Sequence, residues 1–317
     1  MSRDPVEPTA PRAEIDPEAE PDLPSAALAA AAPPVVFDSG GEIWSLAWPI
    51  MLSQVLLNVV GLVDLAMVGR LGSESVAAVG YASQFFHLSQ SVLFAVGFAC
   101  VALMSQAIGA GDPVRARQAL AAALLVSVAA AAVLTLGMVS GAAPLLAMLG
   151  APPELVKRGV PYMQLVVGSS FLLAISMTLE FALRADRDAR TPMWIAGIVT
   201  TVKFAGNAVL IFGAGPFPRL ELVGAGLATL ISQLFGLGLF AVVLLRARDP
   251  SPLAVRFADL REGTGQVREV VRLALPGVGE RLANNFALLA YFRVLSSYGP
   301  IEVAAYTVGI RLLAFTW

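Results

Sequence analysis

The sequence predicts an all-α integral membrane protein, a polytopic helical bundle with one six-helix lobe and the first two helices of a second repeat lobe. The first observation is composition: 57% of the 317 residues are hydrophobic and only 14% are charged, whereas soluble domains contain about 25% charged residues. The second is a series of apolar runs of about 20 residues, the length that crosses a bilayer as a helix. The third is an internal repeat.

The N-terminal residues 1–42 are expected to form a disordered cytoplasmic tail. They are rich in Pro, Ala and acidic residues, so they cannot bury enough apolar surface to fold alone. The stretch "AALAAAAPPVVF" is too short and too often interrupted by Pro to span a membrane. It also follows acidic residues instead of the basic region that begins a signal peptide.

Eight apolar runs follow this tail. They predict a first six-helix lobe at 43–245, a cytoplasmic inter-lobe linker at 246–269, and the incomplete start of a second lobe at 270–317. An eighth span begins near Val303 and continues to Trp317. The other seven predicted spans are Ile43–Val68, Val76–Ala107, Ala119–Val139, Val160–Phe181, Pro192–Phe212, Leu222–Leu245 and Val270–Val294.

The basic residues orient these spans. With the N-terminus inside, the inner segments contain 13 Lys and Arg residues and the outer segments contain 4. Cytoplasmic loops carry such an excess of positive charge. The N-terminus is therefore predicted to be cytoplasmic.

An offset of 227 residues aligns the first span with the seventh. It brings Pro49 onto Pro276 and Gly72 onto Gly299, and no gap is needed over more than thirty residues. Six spans separate the two copies, so both have the same orientation, as in parallel-repeat transporters. Because 270–317 is too short for a lobe as long as the first, we expect the chain to be a fragment.

Four segments together resemble the MATE family of multidrug and toxic compound extrusion transporters, and the resemblance covers about 43–317. It implies two six-helix lobes around a central cavity and efflux driven by inward flow of H⁺ or Na⁺. The segments are "LAWPIMLSQVLLNVVGLVDLAMVGRLG", "SQAIGAGDPVRARQAL", "RADRDARTPMW" and "LELVGAGLATLISQ".

Asp64 stands inside an apolar run, "NVVGLVDLAMVGR", where an unpaired carboxylate is costly to bury. One interpretation is an interfacial carboxylate that reaches toward water or toward Arg70. The other is an acid that lines a membrane cavity and exchanges a cation. The second interpretation matches the acid that the family resemblance places in the first span and implicates in cation coupling.

Lys203 lies near the midpoint of the predicted fifth span, and Asn207 follows it on the same helix face. The resemblance implies Asn at the position of Lys203 and Asn or Asp at that of Asn207, so Lys203 departs from the family pattern. Because the resemblance places the first and fifth spans in one lobe, we predict an ion pair between Lys203 and Asp64, direct or through water or Asn207. The alternative is a Lys203 that is bonded to backbone carbonyls.

Three further residues are candidates for the cation-coupling or substrate-binding site. Asn58 and Gln54 lie on the span that contains Asp64. Glu280 lies in the seventh span, where some family members have an acid, although it is only four residues past Pro276. An interfacial pair between Glu280 and Arg281 is the alternative.

We expect a secondary antiporter of the bacterial inner membrane, a monomer when full length, that exports organic cations, drugs or amphipathic metabolites in exchange for H⁺ or Na⁺. Its partners would be this small-molecule substrate, the coupling cation and the lipid bilayer, and the net charge of −2 gives no reason to expect nucleic acid. With one His and one Cys, neither a metal site nor another cofactor is expected.

Two alternatives come from other classes. A lipid-linked saccharide flippase of the same superfamily architecture needs several Arg to bind pyrophosphate, whereas Lys203 is the basic residue within the spans of the first lobe. An intramembrane enzyme needs a paired catalytic set such as His with Asp, or Ser with His, at helical spacing, and the sequence offers none. An inactive fragment of either transporter is the remaining alternative.

Overall fold

The structure is a computed structural model that describes residues 39–213, 218–247, 251–254 and 257–313. The chain divides into two compact units, Met1–Glu42 and Ile43–Trp317. Residues 1–38 of the predicted disordered tail lie outside the described residues, and residues 39–42 of it are helical. The packing described below is that of the second unit.

Within the described residues the chain forms eleven α-helices, one 3₁₀ helix and no β-strand. The helices are α1 (Ser39–Gly69), α2 (Ser73–Gly109), α3 (Pro113–Ser140), α4 (Ala142–Met148), α5 (Pro153–Gly168), α6 (Ser170–Ala185), α7 (Arg190–Phe212), α8 (Glu221–Arg246), α9 (Phe257–Glu262), the 3₁₀ helix (Gly263–Gln266), α10 (Val267–Ser296) and α11 (Pro300–Leu313).

Six segments of the described chain are long and apolar enough to cross a membrane, and they correspond to the first six predicted spans. The predicted seventh span is the 30-residue helix α10, which is about 45 Å long. It contains polar residues such as Glu280 and Arg281 and is not among the segments that are apolar enough to cross a membrane. α11 is a shorter helix of 14 residues. The six segments are Trp44–Gly69, Ser73–Gly109, Pro113–Ser140, Pro153–Ala185, Arg190–Phe212 and Glu221–Arg246.

Helix α2 is the centre of the unit. It packs against α3, α5 and α6 of the first lobe and also against α10 and α11, and Tyr81, Phe85 and Met104 on it are almost fully buried. α7 and α8 pack along each other. α1 is much less enclosed by other helices. In its most apolar stretch 11% of the residues are buried, whereas the value for Pro153–Ala185 is 61%.

The helix boundaries confirm the internal repeat. α1 and α10 end at positions that the offset makes equivalent, and each contains the aligned proline, Pro49 or Pro276. Gly72 and Gly299 have φ values of 105° and 133°, a region that favours glycine. Each of these glycines directly precedes the next helix, α2 or α11, so the two copies share the same turn.

The predicted fourth span, Val160–Phe181, is divided into α5 and α6, which meet at Ser169. The hydroxyl of Ser169 donates to the carbonyl of Val166. Serine hydroxyls compete in this way with the backbone bonds of a helix. The hydropathy of the segment gave no sign of the division.

The predicted linker is partly folded, because α9 and the 3₁₀ helix pack against α3. Arg117 Nε lies 3.6 Å from Asp259 Oδ2, and both side chains are buried. Gln118 donates to Glu262 at 2.9 Å and accepts from Gln266 at 3.1 Å. The linker is therefore attached to the first lobe before α10 begins.

Candidate functional site

Asp64 lies five residues before the end of α1, roughly 7.5 Å along the helix axis. Its neighbours Leu65 and Val68 are buried in a core cluster that includes residues of α2 and α5. These contacts fix the last turns of α1 although most of the helix is exposed. The carboxylate of Asp64 reaches α7.

Two side chains of α7 hold this carboxylate. Lys203 Nζ lies 3.1 Å from Asp64 Oδ2, and Asn207 Nδ2 donates a hydrogen bond to Asp64 Oδ1. Lys203 and Asn207 are four residues apart, so they share the face of α7 that meets α1. The side chains of Lys203 and Asp64 are 18% and 17% exposed. The predicted ion pair is confirmed, and Asn207 takes part in it.

The alternatives that pair Asp64 with Arg70 and Lys203 with backbone carbonyls are wrong. The guanidinium of Arg70 does not pair with Asp64 but lies 5.8 Å from the centre of the Phe212 ring. Lys203 is bonded to a carboxylate instead of backbone carbonyls. The charges of the Lys203 ammonium and the Asp64 carboxylate therefore compensate each other.

Asp64 contributes to two cavities. The first has a volume of about 60 Å³ and the second about 200 Å³, so each has room for water molecules. Lys203 lines the first and Asn207 the second. The carboxylate thus separates two small spaces, and each of its oxygens has a different nitrogen partner.

Asn207 has an unused acceptor. Its side chain is 2% exposed, and no described donor reaches its Oδ1 atom. An amide that donates with its nitrogen and has a free oxygen can rotate and present the oxygen instead. Asn207 can therefore donate to an ionised Asp64 or accept from a protonated one.

The other three candidates do not join this cluster. Gln54 and Glu280 are exposed, Asn58 is half-buried, and none of them lines either cavity. The guanidinium of Arg281 lies 5.4 Å from the centre of the Phe94 ring, and the structure describes no ion pair between it and Glu280. A role for these three residues stays a prediction.

The first cavity is also lined by three residues with a hydroxyl group that the sequence analysis did not single out. They are Ser83, Tyr162 and Thr229. They come from α2, α5 and α8, three helices whose alignment with α1 and α7 cannot be read from spacing along the chain. Hydroxyls are common in membrane helices as packing groups, so no sequence signal separated them from the rest.

The fold and this site are those of an integral membrane helical protein with an ion pair between two of its spans. A model of the MatE family matches residues 49–209, which is half of the chain and contains Asp64, Lys203 and Asn207. The chain belongs to the MATE family of transporters.

Known proteins resemble the chain over most of its length. A probable multidrug resistance protein NorM of Bradyrhizobium diazoefficiens is 31% identical over 85% of the chain and 55% of its own length. An FAD transporter of Shewanella oneidensis is 28% identical over 83% and 60%, respectively. The solved inward-facing structure of a multidrug resistance MATE family transporter has a TM-score of 0.71 at 24% identity, with 81% of the chain and 57% of that structure covered. The chain spans less than two thirds of the length of these proteins.

Proposed function

We propose that the chain provides one lobe, and part of the second, of a secondary antiporter that exports organic cations or other amphipathic compounds in exchange for H⁺ or Na⁺. The observation that supports this proposal is the carboxylate of Asp64, held inside a membrane span between two cavities. Ionisable residues at such positions are rare and generally mark ion or substrate pathways. A carboxylate is suitable because it can bind a cation on one side of the membrane and release it on the other.

The relatives support a small-molecule substrate. One is named as a multidrug resistance protein and another as an FAD transporter, so amphipathic metabolites stay in the proposed substrate class beside organic cations. The flippase alternative is less well supported, since Lys203 is the one basic residue among those that line the two cavities described above. A pyrophosphate group would need several.

The test is export by the protein expressed from its complete gene, with Asp64→Asn as the variant. Asparagine preserves the shape of the side chain and removes its charge, so transport of a cationic dye into everted vesicles should fall by roughly tenfold or more while the amount of inserted protein is unchanged. The control is Glu74→Gln, which removes an exposed carboxylate paired with the exposed Arg158. Export at the original rate by Asp64→Asn would contradict the proposed role.

We also propose that the N-terminus faces the cytoplasm and that the protein is a monomer of the bacterial inner membrane. The orientation is supported by the charge bias of 13 to 4. A cysteine at Lys157 should react with an impermeant thiol reagent in intact cells, and a cysteine at Arg187 should not. Both positions are exposed, and the native Cys100 is buried, so the background should be low.

A further inference from the structure

We infer that Lys203 selects the coupling ion, because its ammonium group excludes Na⁺ from Asp64 and leaves the proton as the cation that is exchanged. The inference rests on the proposed antiport function and specifies its ion. The groups involved are the carboxylate of Asp64 and the two side chains that contact it, Lys203 and Asn207.

Both oxygens of the Asp64 carboxylate face N–H donors. The ammonium of Lys203 is on Oδ2 at 3.1 Å, and the amide nitrogen of Asn207 is on Oδ1. Small hard cations are held by several converging oxygen atoms. The two groups in contact with the carboxylate are therefore donors, which suit an ionised carboxylate, and Lys203 would have to leave before a metal cation could reach Oδ2.

The charge of Lys203 adds repulsion to this mismatch. A Na⁺ ion on the same carboxylate would come close to the ammonium group. Two unit positive charges about 4 Å apart, at an effective dielectric constant near 20, lower the affinity on the order of 10³-fold. Binding of Na⁺ therefore requires Lys203 to leave, and its tether to α7 keeps it nearby.

A proton does not need a shell of oxygen ligands. It bonds to Oδ1 of Asp64, the oxygen beside Asn207, and neutralises the carboxylate, so the ion pair with Lys203 at Oδ2 is lost while Lys203 stays an ammonium ion. Rotation of the Asn207 amide then lets its unused Oδ1 accept the new O–H group. Among the described residues, the other residues with a hydroxyl group that line the cavities are Ser83, Tyr162 and Thr229 at the first and Thr200 and Thr201 at the second, and Asp64 is the only acidic residue at either.

The same geometry makes proton and cationic substrate exclusive. The proton removes the negative charge of Asp64, and a cationic substrate needs that charge in order to bind, so the two do not occupy the carboxylate together. This exclusion is what an exchange of one for the other requires. An anionic substrate would behave differently. It could bind to the ammonium of Lys203 while Asp64 is protonated, so it would not be exchanged for the proton.

The first experiment measures binding of radiolabelled Na⁺ to the purified protein and its Tm in NaCl against choline chloride at equal ionic strength. The wild type should bind no more Na⁺ than Asp64→Asn and should have the same Tm in both salts. Lys203→Gln removes the ammonium and supplies an oxygen, so its Tm should rise specifically in Na⁺, and the added Asp64→Asn should abolish this rise. The matched control, Lys157→Gln, removes an exposed lysine and should behave as the wild type.

The second experiment uses only the wild type and stays decisive if Lys203→Gln does not fold. Export into vesicles should follow an imposed pH gradient and should not respond to a Na⁺ gradient at equal pH. Sodium binding that depends on Asp64, export driven by Na⁺ alone, or a folded Lys203→Gln without any Na⁺ response would each overturn the inference. Failure of the proposed function is recognised separately, by undiminished export in Asp64→Asn.

Discussion

Within the described residues, a part-buried ion pair and a buried one each join helices that are far apart along the chain, and their surroundings differ. Lys203 and Asp64 join α7 to α1 beside two cavities and retain 18% and 17% exposure. Arg117 and Asp259 join α3 to α9, with exposures of 9% and 7%, in a region where the neighbouring backbones are in close contact. The first pair has room for its partners to separate and be replaced, whereas the second is enclosed. The comparison shows that the space around an ion pair distinguishes the two roles. A pair beside a cavity can be opened by an incoming cation, whereas an enclosed pair holds two segments of the chain together.

The largest effect is expected at the enclosed pair. Asp259→Ala removes the carboxylate that faces the buried Arg117 guanidinium, and breaking a buried pair typically costs about 3–5 kcal/mol. The Tm of the purified protein should fall sharply, and the double variant Arg117→Met with Asp259→Leu should recover much of the loss. The exposed pair of Arg158 and Glu74, in which both side chains are 62% exposed, is the control. Glu74→Ala should cost less than about 1 kcal/mol.

A smaller effect is expected at the pair beside the cavities. Lys203→Met should cost about 1–3 kcal/mol, between the values for buried and exposed pairs, since water in the cavities can partly solvate Asp64. Addition of Asp64→Asn removes the uncompensated charge, so the double variant should be more stable than Lys203→Met alone. Thermal unfolding of all four proteins completes the cycle. Strictly additive effects would mean that the two residues do not interact.

The close packing near Arg117 can be tested at a glycine. A Cβ atom at Gly263 would lie 2.9 Å from the carbonyl oxygen of Gln118, whereas a Cβ at Gly265 would meet nothing within 4 Å. Gly263→Ala should therefore destabilise by about 1 kcal/mol, at the low end of overpacking effects, and Gly265→Ala should not. Equal Tm values for both variants would show that the linker does not rest on α3 as described.

The smallest effect concerns a carboxylate for which the structure describes no ion pair. Burial, and then the nearby charge of Asp188, raise the pKa of Asp186 above its ordinary value of 3.8. A carboxyl with a raised folded-state pKa destabilises the fold where it is ionised, at neutral pH, and this penalty vanishes as the pH falls below its unfolded-state pKa. Asp186→Asn should raise the Tm slightly at pH 7, and the gain should be gone near pH 3. A gain that is independent of pH would point to another cause.

The pair between Lys203 and Asp64 could be predicted from the sequence because each charge stood alone in an apolar run. A lone charge within a span needs a partner, and the family resemblance placed the two spans in one lobe. The six apolar spans followed in the same way from composition and length. The repeat was predictable because a proline and a glycine recur at fixed backbone positions.

The enclosed pair could not be predicted because its residues lie in polar segments, where charged side chains are ordinary. Nothing in the spacing of Arg117 and Asp259 distinguishes them from solvated residues. The cavity hydroxyls were missed for a related reason, since their position depends on how five helices pack. Glu280 was proposed because some members of the family have an acid in the seventh span. Its exposure depends on how α10 is rotated about its axis, which spacing along the chain does not give.

The neutrality of the pair at Asp64 has an electrical consequence. An ammonium and a carboxylate together have no net charge, so a lobe that reorients with the pair closed does no work against the membrane potential. Once a proton or a cationic substrate binds, the site has one net positive charge, and moving that charge across 100 mV is worth about 2.3 kcal/mol. In the proposed exchange, the potential would therefore act on the loaded states and leave the return of the empty site unaffected.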